Sequence, residues 1–403
     1  MRTRLAVLLV AGLLPLILPT TAEAIPAFAR KYGVSCNLCH STAPRLNAYG
    51  EAFAGNGFEL VVGEEPRDTI DTGDPLLRLL RELDFAIRMD LFATALTPIQ
   101  QDGANIDLQM PFGIKLLTGG VLAHRISYYM YFYMSERGEV AGLEDAYIQF
   151  TDIASTGVSA IVGQFQVSDP LFKRELRLQY EDYHPYRVRV GAARADLTYD
   201  RGVLLTWSPW DGGDVAFSIV NGRGLTAAAE DRHYDRDNDK PISLRYSQEL
   251  GPIRIGGFGY LAHERNSGFT DRIVMYGPDA TLTHGNVEVN AQYLRREDSN
   301  PLFAGSPTAT TVNSALVEVL YGPFGTDGRW TLAGLYNRVR ADQPLLAMRV
   351  GGADDTGGFT RRYETVSAGT HYLAGRNVRF MGEVGYDIEG ERTRFTTGVV
   401  LAF

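Results

Sequence analysis

The chain has 403 residues, a net charge of −9, 45% hydrophobic and 22% charged side chains, 43 Gly and only 2 Cys. An acidic chain with scattered basic residues excludes nucleic acid as a partner, and two cysteines cannot build a disulfide framework. A mean hydropathy of −0.13, with no apolar run long enough to span after the first twenty residues, excludes a helical membrane protein.

Residues 1–24 read as a signal peptide. Arg2 and Arg4 precede the apolar stretch Leu5–Leu18, interrupted by Pro15, and Ala22 and Ala24 satisfy the small-x-small cleavage rule. The apolar core, about 14 residues, is too short for a stable spanning helix. The mature chain is expected to begin at Ile25, outside the cytoplasm.

Both cysteines lie in C-N-L-C-H, residues 36–40. At this spacing Cys36 and Cys39 lie one helical turn apart and suit thioether bonds to the two vinyl groups of one covalently bound haem c. His40 then falls beneath the porphyrin as proximal iron ligand. A C-x-x-C redox pair would give His40 no role, and half of a zinc site would want more ligands nearby. Residues 41–88 contain neither His nor Met, so the sixth ligand is sought among Lys31, Tyr49, the Ile25 amine, water or a residue from elsewhere in the chain. Residues 25–60 form this small α-helical haem segment: Leu46, Tyr49 and Phe53 recur at helical spacing, and Gly55-Asn56-Gly57 reads as a C-cap. So short a segment needs the haem as its core. Residues 61–80 form an acidic, Pro/Gly-punctuated linker.

Residues 81–403 read as a β-barrel. In the first strand Leu83, Phe85, Ile87, Met89 and Leu91 are apolar, with Glu82, Asp84, Arg88 and Asp90 between them. This period of two marks a sheet wet on one face. Sixteen such segments are expected, near 82–96, 106–118, 124–136, 142–151, 157–166, 198–208, 214–221, 240–249, 252–262, 271–283, 286–296, 311–321, 329–339, 360–372, 376–387 and 391–403. Short turns (P-W-D-G-G, E-L-G-P, H-G-N, L-A-G-R-N) alternate with longer connections at 167–197, 222–239, 263–270, 297–310 and 340–359. An even strand number with short turns on one rim and long loops on the other is the outer-membrane pattern. Trp207, Trp210 and Trp330 lie beside short turns, where a periplasmic aromatic girdle belongs.

Alternation also assigns side chains. Met89 faces lipid and Met381 the lumen, between Arg379 and Glu383, which makes Met381 a weak candidate for the distal ligand. Tyr129, Tyr131 and Tyr133 line the lumen, with Met130 and Phe132 outward. In the loop 221–240, Glu230, Asp231, Asp235, Asp237 and Asp239 cluster with His233; oxygen and imidazole ligands suit transient Fe(II), but the mixed charge more simply suits a plain solvated loop. By resemblance to general porins, the long loop carrying Tyr180, Tyr183, His184 and Tyr186 is expected to fold inward as a constriction.

The run I-P-A-F-A-R-K-Y-G-V-S-C-N-L-C-H, followed by P-R-L-N-A-Y-G-E-A-F-A-G-N-G-F, resembles the N-terminus of the fused cytochrome–porin family. That family includes outer-membrane iron oxidases of iron-oxidising bacteria, in which one c-type haem domain precedes a sixteen-stranded porin. The match covers Pro26–Arg30, Gly33, Cys36, Cys39, His40, Pro44, Leu46, Gly50, Phe53 and Gly57. It implies that Cys36 and Cys39 carry the haem and His40 ligates its iron. The expected architecture is therefore a sixteen-stranded antiparallel outer-membrane barrel with its haem segment in the lumen or periplasmic mouth. The expected function is transfer of electrons from an extracellular donor such as Fe(II) to a periplasmic c-type cytochrome. The alternatives are a haem-plugged diffusion porin or transporter, and the same conduit run backwards to an extracellular acceptor. The sequence offers no acid–base pair or nucleophile for hydrolysis.

Overall fold

The computed structural model describes residues 27–60, 69–70, 72–74, 76–77, 79–80, 84–98, 105–136, 138–140, 142–225, 232–235, 237–325, 328–347 and 359–403. The signal peptide, Ile25 and most of the linker lie outside the described residues.

Sixteen antiparallel strands close into one barrel. They are β1 (Phe85–Thr97), β2 (Ile106–Ala123), β3 (Ile126–Glu136), β4 (Gly142–Phe150), β5 (Val158–Gln166), β6 (Tyr199–Trp210), β7 (Gly213–Val220), β8 (Ile242–Leu250), β9 (Ile253–Asn266), β10 (Phe269–His284), β11 (Val287–Asp298), β12 (Thr310–Tyr321), β13 (Trp330–Ala341), β14 (Arg362–Gly375), β15 (Val378–Asp387) and β16 (Arg392–Ala402). Each pairs with its neighbours in sequence, and β16 closes on β1 from Thr393↔Thr97 to Ala402↔Arg88. Closure leaves no unpaired edge, which a sheet in lipid requires.

The expected alternation is realised along the wall. In β8, Ile242, Leu244 and Tyr246 are exposed on the outer surface while Ser243, Arg245 and Ser247 are buried inside. Trp207, Trp210 and Trp330 all stand on the outer face at the short-turn rim, where Trp210 neighbours Tyr246 and Trp330 neighbours Tyr372. An apolar exterior belt with an aromatic girdle, closed around a lumen, makes this an outer-membrane barrel. No helix among the described residues is long and apolar enough to cross a membrane; the strands make the crossing. One connection differs from expectation. Residues 263–270 are not a long loop, because β9 and β10 extend to Asn266 and Phe269 and turn on Ser267-Gly268, both at positive φ (51° and 85°). Two successive left-handed residues make the tight hairpin turn whose twist matches its strands.

The lumen holds part of the chain. Residues 167–197 fold inward, as expected of a constriction, and bury Leu178, Tyr183, Tyr186 and Val190 almost completely. The wall they meet is apolar on one side: Phe258 and Tyr260 of β9, Ile273 and Met275 of β10, Leu294 of β11, Leu316 of β12 and Leu335 of β13 pack with Phe172, Tyr183 and Tyr186. Nearer the long-loop rim, Val188 and Val190 pack with Val312, Val339, Ala341 and Leu346. A buried loop must also satisfy its backbone. Here barrel side chains do this: Glu383 accepts from the amides of Tyr180 (2.8 Å) and Glu181 (3.3 Å), Glu264 from those of Arg194 (2.8 Å) and Ala195 (3.3 Å), and Arg296 donates to the carbonyls of Val188 (2.8 Å) and Ala195 (2.7 Å).

Candidate cofactor site

The N-terminal segment lies inside the short-turn mouth of the barrel. It contains α1 (Ala27–Tyr32), a 3₁₀ turn at Cys36–Leu38 and α2 (Ala48–Gly55). Asn47 caps α2, accepting from the Gly50 amide at 2.9 Å while its own amide group donates to the carbonyls of Asn37 (3.2 Å) and Leu38 (3.0 Å). One side chain thus ties the helix start to the C-x-x-C turn. Gly50 is needed for the same packing: a Cβ there would stand 2.1 Å from the Cys39 carbonyl oxygen. The Gly55-Asn56-Gly57 cap forms as expected, with Gly57 at φ 70°.

Two expectations need adjustment. Leu46 precedes α2 and forms a β-bridge with His40 instead of sharing a helix face with Phe53. The segment also has an aromatic core of its own, because Phe28, Tyr32, Phe53 and Phe58 are in ring contact. Phe58 continues that cluster into the barrel by stacking on Tyr129 of β3, with centroids 5.4 Å apart. Tyr129 thus serves as docking surface as well as lumen lining.

Polar contacts fix the segment to the wall. Arg45 pairs with Glu288 of β11 and, at 3.6 Å, with Glu318 of β12. Thr42 bonds Thr331 of β13 at 2.5 Å, Gln149 of β4 donates to the Gly55 carbonyl at 2.7 Å, and Arg30 donates to the Phe85 carbonyl at 2.6 Å. Nothing in the sequence marks Arg45 as more than one cation among 39; its partners lie over 240 residues away.

Between segment and wall is a cavity of about 740 Å³, within the range of cofactor sites. One side is formed by Cys36, Cys39, His40, Leu46 and Phe53; the other by Tyr129, Tyr131, Tyr147 and the inward loop from Asp169 to Leu176. The His40 amide donates to the Cys36 carbonyl at 2.9 Å, so the three expected residues stand on one turn. Nδ1 of His40 is 3.1 Å from the Pro44 carbonyl oxygen and donates to it. That contact places the proton on Nδ1 and leaves the Nε2 lone pair for a metal. Burial lowers the His40 pKa against the opposing pull of the Pro44 and Arg45 backbone, favouring neutral imidazole. Burial likewise pushes up the Cys36 and Cys39 thiols, so these cysteines are not activated as a low-pKa redox pair is. Two thiols, one imidazole with a free nitrogen and a cavity bordered by several aromatic rings, among them Phe53, Tyr129, Tyr131 and Tyr147, suit a covalently attached haem.

Other candidates fall elsewhere. Among the described residues around the cavity, His40 is the only histidine and there is no methionine. Met381 faces the lumen as expected but is packed with Phe92, Val400 and Tyr180. His184 bonds Glu181 at 2.6 Å and lies edge-on to Tyr363. Lys31 bonds Tyr32 at 2.7 Å, while Tyr49 borders the cavity. In the loop 221–240, Glu230 and Asp231 lie outside the described residues, while Asp235 pairs with Lys240 (2.6 Å) and Asp239 with Arg265 (2.9 Å). No group of three or more His, Cys, Asp or Glu able to hold a metal ion occurs among the described residues.

No protein-family model matches the chain, and no curated protein sequence matches it. Its fold is nonetheless shared with solved porin structures. The anion-selective porin of Comamonas acidovorans superposes with a TM-score of 0.57 at 8% identity, covering 80% of this chain and 99% of its own. A loop-deletion form of OmpT, an outer membrane protein of Vibrio cholerae, gives 0.55 at 12% identity, covering 80% and 99%. The outer membrane channel DcaP of Acinetobacter baumannii gives 0.52 at 9% identity, covering 80% and 97%. This chain is a porin-like, sixteen-stranded outer-membrane barrel.

Proposed function

We propose that this barrel is an outer-membrane electron-transfer protein that carries one covalently attached haem c. The observation that supports the reading best is the position of Cys36, Cys39 and His40 on a single turn bordering a cavity in the short-turn mouth. When bound, the haem supplies one-electron redox chemistry. Cys36 and Cys39 would tether it, His40 Nε2 would ligate its iron, and Arg45 holds this turn against the barrel. The short-turn rim is periplasmic, so the site is accessible to a periplasmic c-type cytochrome. The inward loop runs from the cavity, which it borders at Asp169–Leu176, past Tyr183 and Tyr186 to Val190 near the other rim. It provides packed protein matter through which an extracellular donor such as Fe(II) would reduce the haem by one electron, being itself oxidised to Fe(III). The periplasmic cytochrome would then take up that electron.

Solute diffusion is the second reading, and the likeness to an anion-selective porin and to an outer membrane channel favours it. The inward loop, seated on an apolar patch of the wall, narrows the passage that diffusion would use. Both readings are tested by one preparation. Detergent-purified protein, exposed anaerobically to Fe(II), is expected to show rapid haem reduction by absorption spectroscopy, lost in Cys36→Ala and His40→Ala variants. An absent haem spectrum, or no reduction together with solute flux into liposomes, would overturn the electron-transfer reading in favour of diffusion.

A further inference from the structure

Five arginines are buried among the described residues: Arg45, Arg174, Arg245, Arg296 and Arg379. Four hold a carboxylate. Arg45 takes Glu288 and Glu318; Arg174 takes Asp182 at 2.5 Å, Arg245 takes Asp279 at 2.6 Å, and Arg296 takes Asp298 at 2.7 Å. Arg379, only 3% exposed, has none: no carboxylate of the described residues lies within 4.0 Å of it. Its Nη1 donates to the Leu178 carbonyl at 3.1 Å and to Nδ1 of His371 at 3.3 Å, while its Nε is buried with no partner. The carboxylates nearest in the fold are already engaged. Asp90 holds Arg88 (2.8 Å) and Lys115 (3.5 Å); Glu383 accepts from the Tyr180 amide and from Arg394.

A buried guanidinium without a counter-ion is strongly unfavourable, and proteins seldom leave one. Arg379 is the second residue of β15, at the short-turn rim, and it borders the cavity that Cys36, Cys39 and His40 face. No carboxylate of the described residues matches it, and the cavity it borders is where a matching charge can enter. We propose that Arg379 is the seat of a carboxylate there, and that this carboxylate is a propionate of the haem. The second half rests on the function proposed above. The cofactor would then be held twice: by covalent bonds to the N-terminal segment, and by an ion pair to the barrel wall. That double hold would fix the haem's orientation in the mouth. His371 acts as a positioning residue, since by accepting from Nη1 at Nδ1 it orients the guanidinium from the neighbouring strand. A buried positive charge beside the haem favours the reduced iron and so raises the reduction potential.

The test uses the full-length, haem-loaded protein with Arg379→Gln and Arg379→Lys. Arg379→Gln is expected to stain for covalent haem as strongly as the parent, because Cys36 and Cys39 are untouched. Its reduction potential should fall and its propionate bending band in resonance Raman should move, with Arg379→Lys recovering most of both. Unchanged potential and band in a normally loaded Arg379→Gln protein would overturn the proposal. If the seat holds a free anion instead, the parent's potential will vary with acetate or phosphate concentration and the propionate band will not respond to the substitution; that also overturns the propionate assignment. Should the parent carry no haem, the function proposed above fails, and the seat is read separately. Acetate or phosphate should then raise the melting temperature of the parent but not of Arg379→Gln; equal shifts in both would overturn the anion seat itself.

Discussion

The two walls of the lumen differ in what they offer the chain inside them. From β9 to β13 the inward face carries an apolar patch, Phe258, Ile273, Met275, Leu294, Leu316 and Leu335, buried against the inward loop, and the charges beside it, such as Arg296 with Asp298, are paired. From β14 through β16 to β4 the inward face carries His371, Arg379, Glu383, Arg394, Arg88, Asp90, Lys115 and Asp145. An apolar wall seats a loop permanently, since releasing it would expose apolar surface to water. On the charged wall Asp90 matches Arg88 and Lys115, and Glu383 matches Arg394, so Arg379 is the group there that suits a charge from outside the chain. The apolar wall thus closes the barrel, and the charged wall helps frame the cavity at its mouth.

The contrast can be broken from either side. The largest expected effect is on the cofactor: Cys36→Ser with Cys39→Ser should abolish covalent haem staining completely. Because neither residue belongs to the wall, the variant should still fold as a barrel, seen as heat-modifiable migration on gels. Next in size is Arg45→Met, which leaves Glu318, about 1% exposed, with only the neutral donors Tyr183 (2.7 Å) and Asn290 (3.0 Å). Breaking a buried pair from one side costs about 3–5 kcal/mol, and the segment should become cleavable by protease while the barrel stays resistant. Leu335→Ala or Ile273→Ala on the apolar wall should cost about 2–5 kcal/mol, read as a lower denaturant midpoint, with ion conductance appearing in planar bilayers as the loop loosens.

The smallest effect is the pH response of the loop. Burial alone would raise the Glu181 carboxyl, but His184 and Arg394 override it and hold the pKa at about 2, below the ordinary 4.5. A depressed carboxylate contributes stability that is complete above the ordinary value and lost as pH falls through the folded one. Conductance should therefore stay closed from neutral pH to about 4.5 and rise only as the pH approaches 2. Glu181→Gln should remove that acid-dependent rise.

The barrel was legible because its signals are local. Val287 to Tyr293 alternates within one strand, and Asn-, Gly- and Pro-rich turns mark where strands reverse. All sixteen strands overlap the expected segments. The one misjudged connection, at Ser267-Gly268, failed because charged residues such as His263, Glu264 and Arg265 look like loop but continue a paired strand. The C-N-L-C-H turn was legible for a similar reason: its residues are neighbours in sequence, so the spacing already contains most of the geometry.

By itself the sequence determined the strand count, the side of the wall each residue faces and the residues of the candidate haem site. Each follows from backbone periods of two or about 3.6 residues that operate over a few positions. Only the tertiary structure decided that Arg45 finds Glu288 and Glu318, that residues 167–197 settle on the apolar wall, and that Arg379 meets no carboxylate among the described residues. Those relations join positions up to hundreds of residues apart. Before the ring closes, nothing local distinguishes a paired buried arginine from an unpaired one.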